Sequence, residues 1–117
     1  MTRRDALRAL LEQVEAGKWK PPYGVYPAPL DGNAWDAYRG SLDAAKALHE
    51  ATLPGWWWSI GTCNVSDDAR VSPHDDRRAP DGGEWAEWTD VDLRPSGNPA
   101  RAWLIAIIRA LIEEAGE

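Results

Sequence analysis

Apolar residues recur along this chain at helical spacing. Leu7, Leu10, Leu11 and Val14 fall at i, i+3, i+4 and i+7, which predicts a helix over Arg3–Glu15 that Gly17 stops. Asp31-Gly32-Asn33 predicts a short helical turn through Tyr38, ended by Gly40. Ser41 is a natural N-cap for a helix to about Thr52, and Asp43 in its first turn suits the helix dipole. Leu42, Ala45 and Leu48 form its apolar stripe, with Ala44, Ala47 and Ala51 allowing close packing beside it. The strongest pattern is the last. Asn98 as N-cap and Pro99 at the first helical position open a helix over 98–114. Its Trp103, Leu104, Ile107, Ile108, Leu111 and Ile112 keep the period, and Ala102, Ile105 and Ala106 widen the apolar surface beyond one stripe. A helix of that kind must be covered on most sides.

Between the helices the period changes to two. Pro54-Gly55 ends the helix of 41–52, and residues 56–62 or 63 predict the first strand, with Trp56 and Trp58 on one face and Trp57 on the other. Residues 64–84 carry turn chemistry, with a brief strand at Ala69-Arg70-Val71. Residues 85–93 alternate loosely and predict an antiparallel strand with one wet side, broken by Pro95-Ser96-Gly97. The expected fold is therefore α+β. A small antiparallel sheet centred on 56–62 and 85–93 packs against two main helices, 41–52 and 98–114. An N-terminal helix and a Pro-rich segment, Trp19 through Pro29, extended across the domain surface, make up a 1–40 arm on a 41–117 core.

At 117 residues the chain suits one domain that buries a core without staples. Net charge is −6, and it is concentrated. Between residues 63 and 92, Asp67, Asp68, Asp75, Asp76, Asp81, Glu84, Glu87, Asp90 and Asp92 face only Arg70, Arg77 and Arg78. That field opposes direct nucleic-acid binding and favours basic partners. The longest apolar stretch, 102–108, is too short to span a bilayer, so no membrane role is expected. The single Cys63 leaves no internal disulfide and no Cys-based zinc site. With the charged amphipathic start of the chain, this sets the expectation of a cytoplasmic protein.

Catalytic chemistry finds little foothold. His74 beside Asp75-Asp76 resembles a solvated loop histidine more than a metal ligand, and His49 lies mid-helix without a partner at ligand spacing. Cys63 ends a Trp-rich strand as a small core residue would. Ser59, Thr62 and Ser66 sit in no nucleophile elbow, and Asp81-Gly82-Gly83 is no phosphate loop. No catalytic residue, metal site or cofactor is expected. The chain has eight Trp and no Phe, and Trp combines a large apolar area with an N–H donor, as binding surfaces require. Trp56, Trp58, Trp85 and Trp88, with Asp67, Asp68, Asp75 and Asp76, are therefore the candidate partner-binding residues, against the alternative that the Trp residues simply pack a sheet face.

The block Ser41-Leu42-Asp43-Ala44-Ala45-Lys46-Ala47-Leu48 through Leu53-Pro54-Gly55-Trp56 carries a family resemblance. So does Asn98-Pro99-Ala100-Arg101-Ala102-Trp103-Leu104 through Arg109-Ala110-Leu111. Over residues 40–115 the order of helix, Gly-Trp strand, variable strands and helix resembles small phage and prophage proteins with the phage alpha-beta-alpha sandwich domain. The acidic stretch 66–83 departs from that pattern. The resemblance transfers no residue roles. The family carries no established activity. With the size and acidity of the chain, the resemblance sets the expectation of a non-enzymatic phage accessory protein in the host cytoplasm that binds a host protein or protein–RNA defence complex with a basic surface, a CRISPR-type effector being one such target. A small-ligand or nucleotide sponge, with Trp faces stacking a base and Arg70, Arg77 or Arg78 holding phosphates, is the alternative.

Overall fold

The computed structural model describes residues 2–20, 26–27, 29–62, 67–72, 90–93 and 98–115. The chain is a mixed, helix-rich α and β protein. Its elements run α1 (Arg3–Glu15), α2 (Gly32–Tyr38), α3 (Leu42–Thr52), β1 (Trp57–Thr62), β2 (Asp67–Ser72), β3 (Asp90–Leu93) and α4 (Pro99–Ala115).

Each helix starts where a side chain takes a first-turn N–H that has no partner inside the helix. Thr2 and Asp5 form a reciprocal capping box on α1, with Asp5 N–H donating to Thr2 Oγ1 at 3.1 Å. Asp31 accepts from Asn33 N–H at 2.8 Å, and Ser41 accepts from Ala44 N–H at 3.1 Å. Asn98 caps α4 by accepting from Arg101 N–H at 3.0 Å, and its amide also donates to the Tyr38 carbonyl at 3.0 Å, fastening the start of α4 to the end of α2. The α3–β1 turn depends on Gly55, whose φ of +82° lies in the left-handed region that glycine occupies without strain.

The strands pair antiparallel in the order β1-β2-β3. The two segments expected to centre the sheet are therefore not neighbours, because β2 stands between them. The brief strand read at residues 69–71 extends over Asp67–Ser72 and is the middle one. Its polar look conceals a period of two: Ala69 and Val71 are buried under α4 while Asp68 and Arg70 alternate with them. Of the strand expected at 85–93, Asp90–Leu93 is strand and 85–89 lie outside the described residues.

The core is organised around α4. Ala100, and then every residue from Ala102 to Ile112 except Arg109, is buried, which a one-sided helix never achieves. On one side α4 packs against all three strands; on the others it meets α1, α2 and α3. The half-buried Arg101 and Arg109 serve its borders. Arg101 donates from Nε to the Tyr38 carbonyl at 3.2 Å and lies 4.1 Å over the Tyr38 ring, while Arg109 reaches Glu15 of α1 at 2.6 Å.

Two expectations change as a result. The sheet is not covered by two equivalent helices, since the main packing of α3 is against α2 and α4. Nor does Trp19 lie across the surface. It is 4% exposed, edge-on to Tyr38 at 5.5 Å and to Trp35 at 5.6 Å, and its backbone N–H donates to the Tyr38 hydroxyl at 3.3 Å. That hydroxyl lets the backbone at Trp19 enter the core without losing a hydrogen bond. Residues 21–25 and 28 of the Pro-rich segment lie outside the described residues.

Ile107 is fully buried in the middle of α4. Ile107→Ala should lower unfolding free energy by roughly 2–5 kcal/mol, read as a fall in urea midpoint at unchanged slope. A loss below about 1 kcal/mol would mean that this face of α4 is not enclosed.

Candidate apolar cleft between α3, β1 and α4

Antiparallel register decides which Trp side chains meet α4. Trp58 is registered opposite Val71 and Ile60 opposite Ala69, and both partners are buried, so these rows face the helix. Among the described residues β1 is an edge strand, with β2 as its one described neighbour. Trp58 accordingly lies 4.5 Å from the Trp103 ring, at 33°, yet remains 39% exposed.

Leu42 reaches the same place from α3. It falls seven residues before His49, hence on nearly the same helix face two turns upstream. His49 is covered by α4, but Leu42 lies beyond the end of that cover and is 45% exposed. The apolar stripe expected along Leu42, Ala45 and Leu48 is thus shifted: Ala44, Ala45, Leu48 and His49 face the core, and Leu42 does not. Leu42 and Trp58 are the large exposed hydrophobic residues among those described, and both line one cleft of about 330 Å³. Among the described residues, Ile60, Gly61, Pro99 and Trp103 also line it, with Asp43 and Lys46 at the rim.

The cleft is apolar and small, at the lower end of the roughly 300–1,000 Å³ range of ligand pockets. The first turns of α3 and α4 both border it, but the Ser41 and Asn98 caps already take the N–H groups of Ala44 and Arg101. Among the described lining residues the charged ones are Asp43 and Lys46, the latter loosely paired with Glu50 at 3.9 Å.

Behind the cleft wall, His49 is 2% exposed and uses both ring nitrogens. Trp103 Nε1–H donates to Nδ1 at 3.3 Å, and Nε2 lies 3.1 Å from the Trp56 carbonyl oxygen. An indole nitrogen can only donate and a carbonyl can only accept, so Nδ1 carries the lone pair and Nε2 the proton. The ring is a neutral imidazole bridging α4 to the start of β1. Burial holds its pKa below the ordinary 6.5, partly offset by the Trp56 carbonyl and by the charge of Glu50.

Of the residues that the sequence singled out, Trp58 lines the cleft, and Trp56 packs half-buried against the core with its carbonyl on His49. Asp67 and Asp68 stand in β2, where Asp68 is registered opposite Asp92 and Asp67 opposite Thr62 and Leu93. Asp75, Asp76, Trp85 and Trp88 lie outside the described residues, as do Cys63, His74, Arg77 and Arg78. Leu42, His49 and Trp103 were not read as site residues, although the seven-residue step from Leu42 to His49 already set them on one face.

Among the described residues no group of His, Cys, Asp or Glu is placed to hold a metal ion, and no helix is long and apolar enough to cross a membrane. No family model matches the chain, and no curated protein or solved structure is significantly similar to it.

Trp103→Phe keeps an aromatic ring beside Trp58 but leaves His49 Nδ1 without its donor. It should cost roughly 1–3 kcal/mol in chemical denaturation. Combined with His49→Leu, the loss should fall short of the sum of the two single losses, because one bond is being removed twice. Strict additivity would exclude the bond.

Proposed function

We propose that this protein acts by binding rather than by catalysis, seating an apolar side chain from a basic protein surface in the cleft between α3, β1 and α4. One observation carries the reading. The large hydrophobic side chains left exposed among the described residues, Leu42 and Trp58, converge on the same opening. Large aromatic and aliphatic anchors set in a pocket dominate the energetics of protein interfaces. The sign of the partner follows from charge, since the chain carries −6 and its acids concentrate between residues 63 and 92. Four of those acids, Asp67, Asp68, Asp90 and Asp92, stand on the paired strands β2 and β3, with Arg70 opposite Asp90.

A host protein or protein–RNA defence complex with an exposed basic channel has the required chemistry, and a phage accessory role of the alpha-beta-alpha sandwich kind belongs to the same proposal. Cleft volume and the Trp58–Trp103 pair also favour a second reading, a small flat ligand stacked on Trp58. Among the described residues that line the cleft, Lys46 is the cation available to such a ligand.

Affinity capture from host lysate at low salt, repeated with Trp58→Ser and Leu42→Ser, tests the proposal. A basic protein held by the wild type should be held at least about tenfold more weakly by either variant, a change of roughly 1.4 kcal/mol, and should elute as salt rises. Equal capture by all three proteins would overturn the cleft as the binding site. A shift in the thermal midpoint with nucleotides, lost in Trp58→Ser, would replace the protein partner with the small ligand.

A further inference from the structure

We propose that His49 is a proton-operated latch on the cleft, whose neutral ring holds the Trp103 indole in the wall and whose protonated ring releases it. The inference deepens the reading of the cleft as a binding site and rests on it only for what the latch controls.

The geometry makes the two ring nitrogens unequal. A second proton must go to Nδ1, the atom that accepts from Trp103 Nε1–H at 3.3 Å. Acceptor then becomes donor and two N–H groups face each other, so that bond is lost. The bond from Nε2–H to the Trp56 carbonyl at 3.1 Å survives and is strengthened by the charge. Protonation therefore acts on one side only: the start of β1 stays fastened and α4's Trp103 is let go.

A released indole N–H cannot stay where it is, because Trp103 is 2% exposed and a buried donor without an acceptor is costly. Trp103 itself lines the cleft, which is the open side nearest to it. Turning the N–H toward that opening gives it water as acceptor. Trp58, packed 4.5 Å from Trp103, must shift with it, so the shape of the cleft changes.

The charged surroundings do not hold the ring protonated near neutral pH. From α3 itself, Glu50 favours the charged ring, while Asp43 and Lys46 stand at the rim of the cleft. From α2 the titratable groups are the exposed Asp36 and the buried Tyr38, whose hydroxyl accepts from Trp19 N–H. From α4 they are Arg101, engaged with Tyr38, Arg109, bound to Glu15, and the exposed Glu113 and Glu114. The start of β1 offers the Trp56 carbonyl. Burial is the largest influence and keeps the folded ring's pKa below 6.5.

The sign follows. Well above pH 6.5 the ring is neutral in both folded and unfolded chains, and the stabilisation is complete. As pH falls below 6.5 the unfolded chain takes up the proton first, and stability declines until the folded ring's lower pKa is reached and the latch opens. By linkage, an occupant that packs against the held Trp103 binds more weakly in acid.

NMR on the intact protein tests this without any partner, so the result stands apart from whether the cleft has one. Imidazole nitrogen shifts and hydrogen exchange of the Trp103 indole N–H are followed from neutral to acid pH, with far-UV dichroism reporting global unfolding. At neutral pH the ring should be the Nε2–H tautomer. Once corrected for intrinsic exchange, the protection of the indole should fall about tenfold per pH unit as the ring titrates, before the fold is lost. In His49→Gln, whose amide oxygen accepts without titrating, protection should be independent of pH. A neutral Nδ1–H tautomer would overturn the latch, and so would wild-type protection that changes only with global unfolding.

Discussion

Everything else in this molecule answers to one constraint, that α4 is apolar on nearly every side. A helix with that surface cannot lie on a sheet and turn its back to water. It requires a second layer, and α1, α2 and α3 supply it while the three strands cover the opposite side. The arginines that interrupt the pattern confirm the logic by their position. Arg101 and Arg109 emerge where α4 meets α2 and α1, and each is used to bind the neighbouring helix rather than to face open solvent.

The candidate site is a product of how that cover ends. α3 buries Ala44, Ala45, Leu48 and His49 in the core, with His49 bound to Trp103 of α4, but Leu42 in its first turn stays half-exposed. β1 covers α4 as an edge strand among the described residues, with β2 as its one described neighbour. Where both run out, Leu42 and Trp58 are left half-exposed over Pro99 and Trp103. Trp58 also packs against Trp103, but both side chains keep a large apolar area in water at one opening. That shared exposed area is the physical ground for reading the cleft as a surface that another molecule completes.

The helices were legible in the sequence because each carries both a period and its caps. Arg3–Glu15 is read with the boundaries that the structure gives it, and Ser41 and Asn98 act as the caps their residue types suggest. The middle strand was poorly legible, since Ala69 and Val71 are too few and too small to outweigh the acidic residues around them. The burial of Trp19 was hidden for a different reason. Its backbone partner is the hydroxyl of Tyr38, a contact nineteen residues away that no local pattern records. His49 was read only as lacking a partner at metal-ligand spacing, and its bridging role was hidden because its partners are the residue before β1 and Trp103 of α4. Chemistry that depends on long-range pairing is what a single sequence conceals.

If α4 is enclosed on both sides, its backbone can exchange hydrogen with solvent only when the whole domain opens. Native-state hydrogen exchange at low denaturant measures this directly. The amides of Leu104 through Ile108 should be among the slowest in the chain, with an opening free energy equal to that of global unfolding and the same dependence on denaturant. Exchange of those amides through a smaller, denaturant-insensitive opening, faster than that of α1 or β2, would contradict the enclosed helix and with it the origin assigned to the cleft.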